Sequence, residues 1–502
     1  MASNYASRHC RNAGPAPAGP RGLLFIAHFL LAALLALALL AAPPAHSGGV
    51  SLPDLGEASG GVLTPAEERE LGRSLLREIR RTAPLVTDPE VVFYVDSLGR
   101  QLLANAPSAD GPFYFLTVDN GQVNAFAMPG GIIGIHAGLI LEVRDEAELA
   151  AVMAHEIAHV TQRHLARMFA RGRDINFTTG LAILAGILAS AVDPTLGSAV
   201  ITGGVAGGIQ QQINFTRANE AEADRAGMQI LQGTGFDPHA MADFFERLQE
   251  LSRGVGDQVP EYLRTHPVTL DRITDARNRA SQMAATETRA RGPEFEWMQA
   301  RVQALKDPRR TLERFRATDS PSPARRYGAA VAYLERGEAT RAREQLERLD
   351  AADAPGLTLE LAFAALLREE GEHEQALERL QDLDAVYPGH PVIRERLARV
   401  HRDLGQPDRA IRILSDMIRQ EAAPNPELLR LQADIADGAG YVAISREAMA
   451  EYFFHRAQYE EAVRQFEAAM DASDASDRDR QRIEDKRDSA RETAREAREG
   501  RR

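Results

Sequence analysis

His155-Glu156-Ile157-Ala158-His159 sets two imidazoles four residues apart with a carboxylate between them. In an α-helix, residues i and i+4 lie one turn apart on the same face, so His155 and His159 can grip one metal ion. Imidazole nitrogen suits Zn²⁺, and a helix presenting two of them makes half of a tetrahedral site. Glu156 projects about 100° round the helix from His155, within reach of a water activated by that metal as general base. The chemistry implied is metal-assisted hydrolysis, and it requires a third ligand from another segment.

The strongest source is Asn219-Glu220-Ala221-Glu222-Ala223-Asp224. Glu220 and Asp224 share one helix face, whereas Glu222 points roughly opposite. Glu220 is therefore the expected ligand. Asp224 is the expected acceptor for the second ring nitrogen of a ligand imidazole, fixing its tautomer. The competing reading is an exposed acidic face, the commonest fate of such a run. Against it stands the upstream pair, which still needs one carboxylate. His164 lies five residues beyond His159, about 140° off the ligand face of a continuous helix, and is excluded. His136, in an apolar strand, reads as a packed core residue. His266 is followed by Pro267, which forces a locally extended chain, and then by an apolar helix carrying Arg272.

Several elements must position these groups. Thr64 to about Ala106 has helical apolar spacing, split in two by Pro84 and Pro89. Strand-like runs follow at 113–118, 123–128 and 132–135, with Pro129-Gly130-Gly131 as the turn between the last two. Asp145 with Glu148 three residues on resembles a capping box, opening a helix expected to run to about Arg171. Ala150, Ala151, Ala154 and Ala158 keep that helix slim enough for neighbours to pack closely. Residues 181–192 and 199–209 are apolar and separated by Asp193-Pro194-Thr195-Leu196-Gly197, each too short to span a membrane as a helix. They read as a buried hairpin, with a flap or a bilayer-dipping element as the sharper alternative.

At 502 residues the chain has room for two or three domains, and 44% hydrophobic with 26% charged residues is ordinary globular composition. A net charge of −13 argues against a nucleic-acid binder. Cys10 stands alone, so no disulfide forms within the chain. Arg8, Arg11 and Arg21 precede an apolar run from Gly22 to Ala42, then small residues at Ala45 and Ser47. That is the grammar of an export signal cleaved near Ser47, the alternative being an uncleaved anchor.

Downstream, Gly337, Ala342 and Leu346 recur as Gly371, Ala376 and Leu380, then as Gly405, Ala410 and Leu414, an offset of 34 residues each time. Ala457, Ala462 and Phe466 repeat the frame after a longer gap. A 34-residue period is the tetratricopeptide signature, with the small residue expected to let paired helices cross closely. From Asp474 the chain is highly charged, a solvated helix or a disordered tail.

Asn124-Ala125-Phe126-Ala127 before Pro129-Gly130-Gly131, His155-Glu156-x-x-His159, Glu220-x-x-Ala223-Asp224, and His266-Pro267 with Arg272 occur in that order over about Val62 to Ala280. Together they resemble the zinc peptidase family of the CAAX prenyl endopeptidases and the heat-shock membrane protease HtpX. The chain departs from the integral members by lacking their several membrane spans. The resemblance implies His155, His159 and Glu220 as zinc ligands, Glu156 as base, and one Zn²⁺ per chain. It also implies that Asn124, Ala125, Phe126 and Ala127 form an edge strand to which an extended substrate adds by backbone hydrogen bonds. An export signal in front and repeats behind are similar to a periplasmic member. Its expected partners are unfolded or misassembled outer-membrane proteins, and assembly machinery docked on the repeats; peripheral membrane contact is compatible.

The expected fold is mainly α: an export signal over 1–47, a helical zinc-metalloprotease domain with a small β-sheet over 48–310, a tetratricopeptide α-solenoid over 323–470, and a charged tail over 471–502. His266 or Arg272 is expected either to donate to the oxyanion or, for His266, to take the fourth metal position and keep the enzyme latent. The alternative function is a periplasmic chaperone or adaptor with proteolysis secondary.

Overall fold

The computed structural model describes residues 64–171, 217–253, 260–283, 294–349 and 355–499. The expected export signal and the apolar stretches at 181–192 and 199–209 lie outside the described residues. Among the described residues, no helix is long and apolar enough to cross a membrane.

The chain is mainly α-helical, with one small sheet. Helix α1 (Pro65–Thr82) opens on a capping box, Thr64 Oγ1 accepting from the Glu67 N–H while the Glu67 carboxylate accepts from the Thr64 N–H. Helix α2 (Pro89–Leu103) starts on Asp88, with proline in its first turn. The two expected helices are thus present and parted at the prolines. Strands β1 (Tyr114–Val118), β2 (Ala125–Met128) and β3 (Ile132–His136) form a sheet in the order β1-β3-β2, β3 parallel to β1 and antiparallel to β2. The tight turn between β2 and β3 needs glycine, since Gly130 and Gly131 have φ of +78° and +79°. A Cβ on Gly72 of α1 would stand 2.5 Å from Gly130 Cα, so helix and turn abut backbone to backbone.

Helix α3 (Ala137–Glu142) leads to α4 (Glu146–Thr161), which Asp145 caps by accepting from the Glu148 N–H. The Glu148 carboxylate reaches back one residue further than a capping box requires, to the Arg144 N–H. The expected single helix to Arg171 is broken: α4 ends at Thr161, Arg163 has φ +54°, and α5 (His164–Arg171) starts afresh. Helix α4 is buried on every side between Leu149 and Ala158. Against it lie α6 (Arg217–Thr234) and α7 (His239–Arg253); α8 (Glu261–Thr265) and α9 (Leu270–Gln282) complete this region.

Helix α10 (Glu294–Lys306) packs on both the metal-helix region and the repeats, and with 308–316 and 323–334 encloses Trp297, Leu312 and Tyr327. Antiparallel helices then stack to 459–470. The repeat glycines do a different task from the one expected. Gly337, Gly371 and Gly405 have φ of +68°, +82° and +68° in open space, so they serve the turns. The close crossings fall to the fully buried Ala342, Ala376, Ala410 and Ala462. The long gap in the repeat frame holds another helix pair, Pro426–Gly438 and Val442–Phe454, turning at Gly440 with φ +78°. The charged terminus is a helix, Asp477–Glu499, which buries Ile483, Ala490 and Ala494.

The stack touches the region from α1 to α9 directly. Arg301 of α10 pairs with Asp88 at 2.7 Å and with Glu90 at 3.1 Å; Arg396 of the repeats pairs with the same Glu90. Tyr327 Oη accepts from Arg301 at 2.9 Å. Phe93 of α2 lies on His390, ring centroids 4.2 Å apart.

Candidate active site

Two helices carry the core of the site. On α6, Glu220, Asp224 and Gly227 fall on one face by the i, i+4, i+7 rule, and that face lies against α4. Gly227 is what allows the approach: a Cβ there would sit 3.2 Å from the His155 backbone nitrogen and 3.1 Å from the Met241 methyl. Glu220, 2% exposed, and Asp224, 7% exposed, are thereby carried under His155 and His159, themselves 0% and 4% exposed.

The donor atoms converge. His155 Nε2 stands 2.9 Å from His159 Nε2 and 3.6 Å from a Glu220 oxygen; His159 Nε2 is 3.5 Å from the other Glu220 oxygen. His266 Nδ1 joins them, 3.4 Å from His155 Nε2 and 3.2 Å from Glu220 Oε1. These four residues offer ligand atoms within 4.8 Å of one another. Tetrahedral ligands at zinc distances stand about 3.3 Å apart, so the spacing fits one Zn²⁺. The donor types fit as well, because three imidazoles and one carboxylate are ligand chemistry that Zn²⁺ takes.

The surrounding groups hold these donors. Asp224 Oδ1 faces His155 Nδ1 at 3.0 Å, the position expected of a carboxylate that orients a ligand imidazole. Burial would lower the His155 pKa, but Asp224 and Glu220 outweigh it and raise it to about 9. Burial would raise Glu220, yet His266 and His155 hold its carboxyl well below the usual range. His159 is pushed down by burial and then by its cationic neighbour His155.

Arg272 differs from the expectation that it donates to an oxyanion. Its Nε and Nη2 donate to Asp224 at 2.8 and 2.7 Å, and Nη1 meets Pro267 O and Glu220, both at 2.9 Å. A guanidinium so engaged holds the two carboxylates in place.

Glu156 is fully buried, its Oε1 is 3.6 Å from His266 Nε2, and burial raises its pKa. Neither carboxylate oxygen makes a hydrogen bond among the described residues. Strand β2 runs beside α4 as an edge of the sheet, paired only with β3, so Ala125 to Ala127 lie on the expected edge. Asn124 precedes the strand, its carbonyl accepting from the His136 N–H at 3.1 Å. His136 is 0% exposed, with burial pushing its pKa down to about 4, and stays outside the cluster.

Three contributors escaped the sequence. His164 is no member of the converging set, but the break at Arg163 swings it round so that its Nδ1 meets His159 Nδ1 at 2.8 Å. Glu222, on the far face of α6, stands 3.3 Å from His164 Nε2. Tyr262 stacks on His266, ring centroids 4.7 Å apart and 28° between planes. The i, i+4 spacing of Tyr262 and His266 was the available signal.

Residues 93–280 match the model of peptidase family M48, and residues 367–435 match that of the tetratricopeptide repeat. The chain is 45% identical over 232 residues to the beta-barrel assembly-enhancing protease of Yersinia pestis, a match covering 46% of this chain and 48% of that protein. It is 38% identical over 301 residues to the putative beta-barrel assembly-enhancing protease of Vibrio cholerae, covering 58% and 61%. It is 33% identical over 152 residues to the mitochondrial metalloendopeptidase OMA1 of Arabidopsis thaliana, covering 30% and 28%. The chain thus spans about half the length of the first of these relatives and about three-fifths of the second.

Proposed function

Because residues 93–280 match the model of peptidase family M48, we propose that the chain is a zinc-dependent endopeptidase acting in the periplasm on misassembled outer-membrane proteins. The observation that carries the reading is the convergence of His155, His159, Glu220 and His266 beside the buried carboxylate of Glu156. The names of the two bacterial relatives supply the link to β-barrel assembly. The repeats, continuous with the catalytic region through Arg301 and Arg396, offer the docking surface for clients or assembly machinery.

His155, His159 and Glu220 are the proposed ligands, Asp224 and Arg272 their supports. Bound there, zinc supplies a Lewis acid and brings the pKa of water to near 7. Glu156 takes a proton from the attacking water and passes it to the leaving amine. The edge at Asn124 to Ala127 aligns an extended chain by backbone pairing, which accepts many sequences and suits a quality-control enzyme. His266 Nδ1 lies among the donor atoms, which supports its reading as a fourth ligand that keeps the enzyme latent. On that reading His266→Ala raises proteolysis.

The test is Glu156→Gln in the zinc-loaded full chain, assayed on an unfolded β-barrel protein. The variant retains zinc and loses cleavage, whereas cleavage at the wild-type rate refutes the reading. A second reading, a chaperone or adaptor, is favoured by the repeat stack. Full client handling by Glu156→Gln in cells would make it the main role.

A further inference from the structure

His164 is fully buried yet stands outside the converging ligand set. Burying imidazole nitrogens costs free energy unless they are hydrogen-bonded, so packing alone would favour leucine there. The backbone is bent to bring it in. Helix α4 stops at Thr161, and Arg163 takes φ +54°, which a non-glycine residue rarely adopts. The turn is tied down from outside: the Arg163 guanidinium donates to one Glu68 oxygen of α1 at 2.8 and 3.1 Å. In a continuous helix His164 would point about 140° away from His159.

Instead its Nδ1 lies 2.8 Å from His159 Nδ1, and its Nε2 lies 3.3 Å from Glu222 Oε2. Proton placement follows from these partners. A His159 that gives its Nε2 lone pair to a metal carries its proton on Nδ1 and donates it. The atom it faces, His164 Nδ1, must then accept, so the His164 proton sits on Nε2 and is offered to Glu222. A carboxylate is fit to accept it, and Arg167 Nη2 holds that carboxylate at 2.7 Å. Each donor therefore meets an acceptor in one direction, outward from the metal position. His155 is oriented directly, by Asp224 Oδ1 at 3.0 Å. Helix α6 thus supplies the ligand Glu220 and an anchor for each helix imidazole, one in direct contact and one through His164.

Resting on the zinc reading of this site, we propose that His164 is a positioning residue for His159: its Nδ1 accepts the His159 Nδ1 proton and, anchored by Glu222 and Arg167, fixes the tautomer and ring angle that present His159 Nε2 to zinc. In the full chain His164→Leu removes the acceptor, and zinc affinity by competition calorimetry falls about 10–100-fold. His164→Asn returns an amide oxygen close to the place of Nδ1 and recovers most of that loss. In NMR spectra of the zinc-loaded chain, the His159 Nδ1 proton resonates downfield in wild type and in His164→Asn, and moves upfield in His164→Leu. Wild-type zinc affinity in His164→Leu overturns the proposal. So does an affinity loss with that resonance unmoved, or one that tracks a lowered thermal midpoint of the metal-free chain, since either makes His164 merely structural. If the wild-type chain takes up no zinc, the zinc reading falls and this one with it. If it binds zinc but cleaves nothing, the protease reading alone falls, because none of these measurements uses cleavage.

Discussion

Two clusters of buried charge lie within the same chain and are built on opposite principles. Around Arg301, one guanidinium meets Asp88, Glu90 and the Tyr327 hydroxyl, and Arg396 meets Glu90 from the repeats. Donors there face acceptors. Around His155, imidazoles face one another at 2.9 to 3.4 Å and share one carboxylate. That set has a surplus of lone pairs aimed at a common point. The first cluster is finished by the chain and serves structure. The second is finished only by something brought to it, which is the physical mark of a site.

The contrast can be broken most sharply at Arg301. Arg301→Met strands Asp88 and Glu90 without their buried cation, and the expected loss is about 3–5 kcal/mol in urea unfolding. An unchanged midpoint would mean that this cluster is no more complete than the other. The converging cluster should behave inversely. Zinc at a hundredfold excess over its Kd stabilises the wild-type chain by about 2.7 kcal/mol, and His159→Leu loses that increment. In the metal-free state the same variant costs little, because it removes an imidazole crowded against those of His155, His164 and His266. A large metal-free loss would show that His159 is a structural residue.

Asp224→Asn sits between the two cases, since Asp224 joins Arg272 to His155. It lowers zinc affinity about 10–100-fold by titration calorimetry, with the ligands themselves intact. The smallest effect is in pH. Burial pushes the Asp88 pKa up, but the charge and hydrogen bonds of Arg301, then Arg396, outweigh it and the net shift is downward. Its contribution is therefore fully present above the ordinary carboxylate range near 4, and is lost as pH falls through the depressed value. In Arg301→Met burial is left to push the stranded Asp88 carboxyl up, so the stability gap between wild type and variant narrows as pH falls from about 7 toward the ordinary carboxylate range. A gap unchanged down to about pH 4 would contradict the assignment.

The two clusters were not equally legible. His155, His159, Glu220 and Asp224 are spaced by helical period, so periodicity alone places each pair on a face; what it leaves open is that the faces meet, which depends on Gly227. His266 carried only its proline and a resemblance. His164 was misplaced in angle because the helix breaks at Arg163, and a positive φ at a non-glycine residue leaves no mark in composition. The Arg301 cluster left no trace, since its members come from residues 88, 90, 301, 327 and 396 with no shared period. Gly337, Gly371 and Gly405 showed the repeat correctly, but spacing says where a small residue recurs and is silent on whether a turn or a helix crossing requires it. The pair at 426–454 was hidden because its turn glycine, Gly440, falls one residue out of the 34-residue frame.

The helix Asp477–Glu499 buries Ile483, Ala490 and Ala494 and turns the rest of its charged surface outward. A stack of like helices ends in an apolar face resembling the ones inside it, and would otherwise accept another molecule's first unit. This helix lays Ile483 and Ala490 over Ala462, Phe466 and Ala469 and presents mixed charge in their place, so that apolar face is not open to a like helix of another molecule.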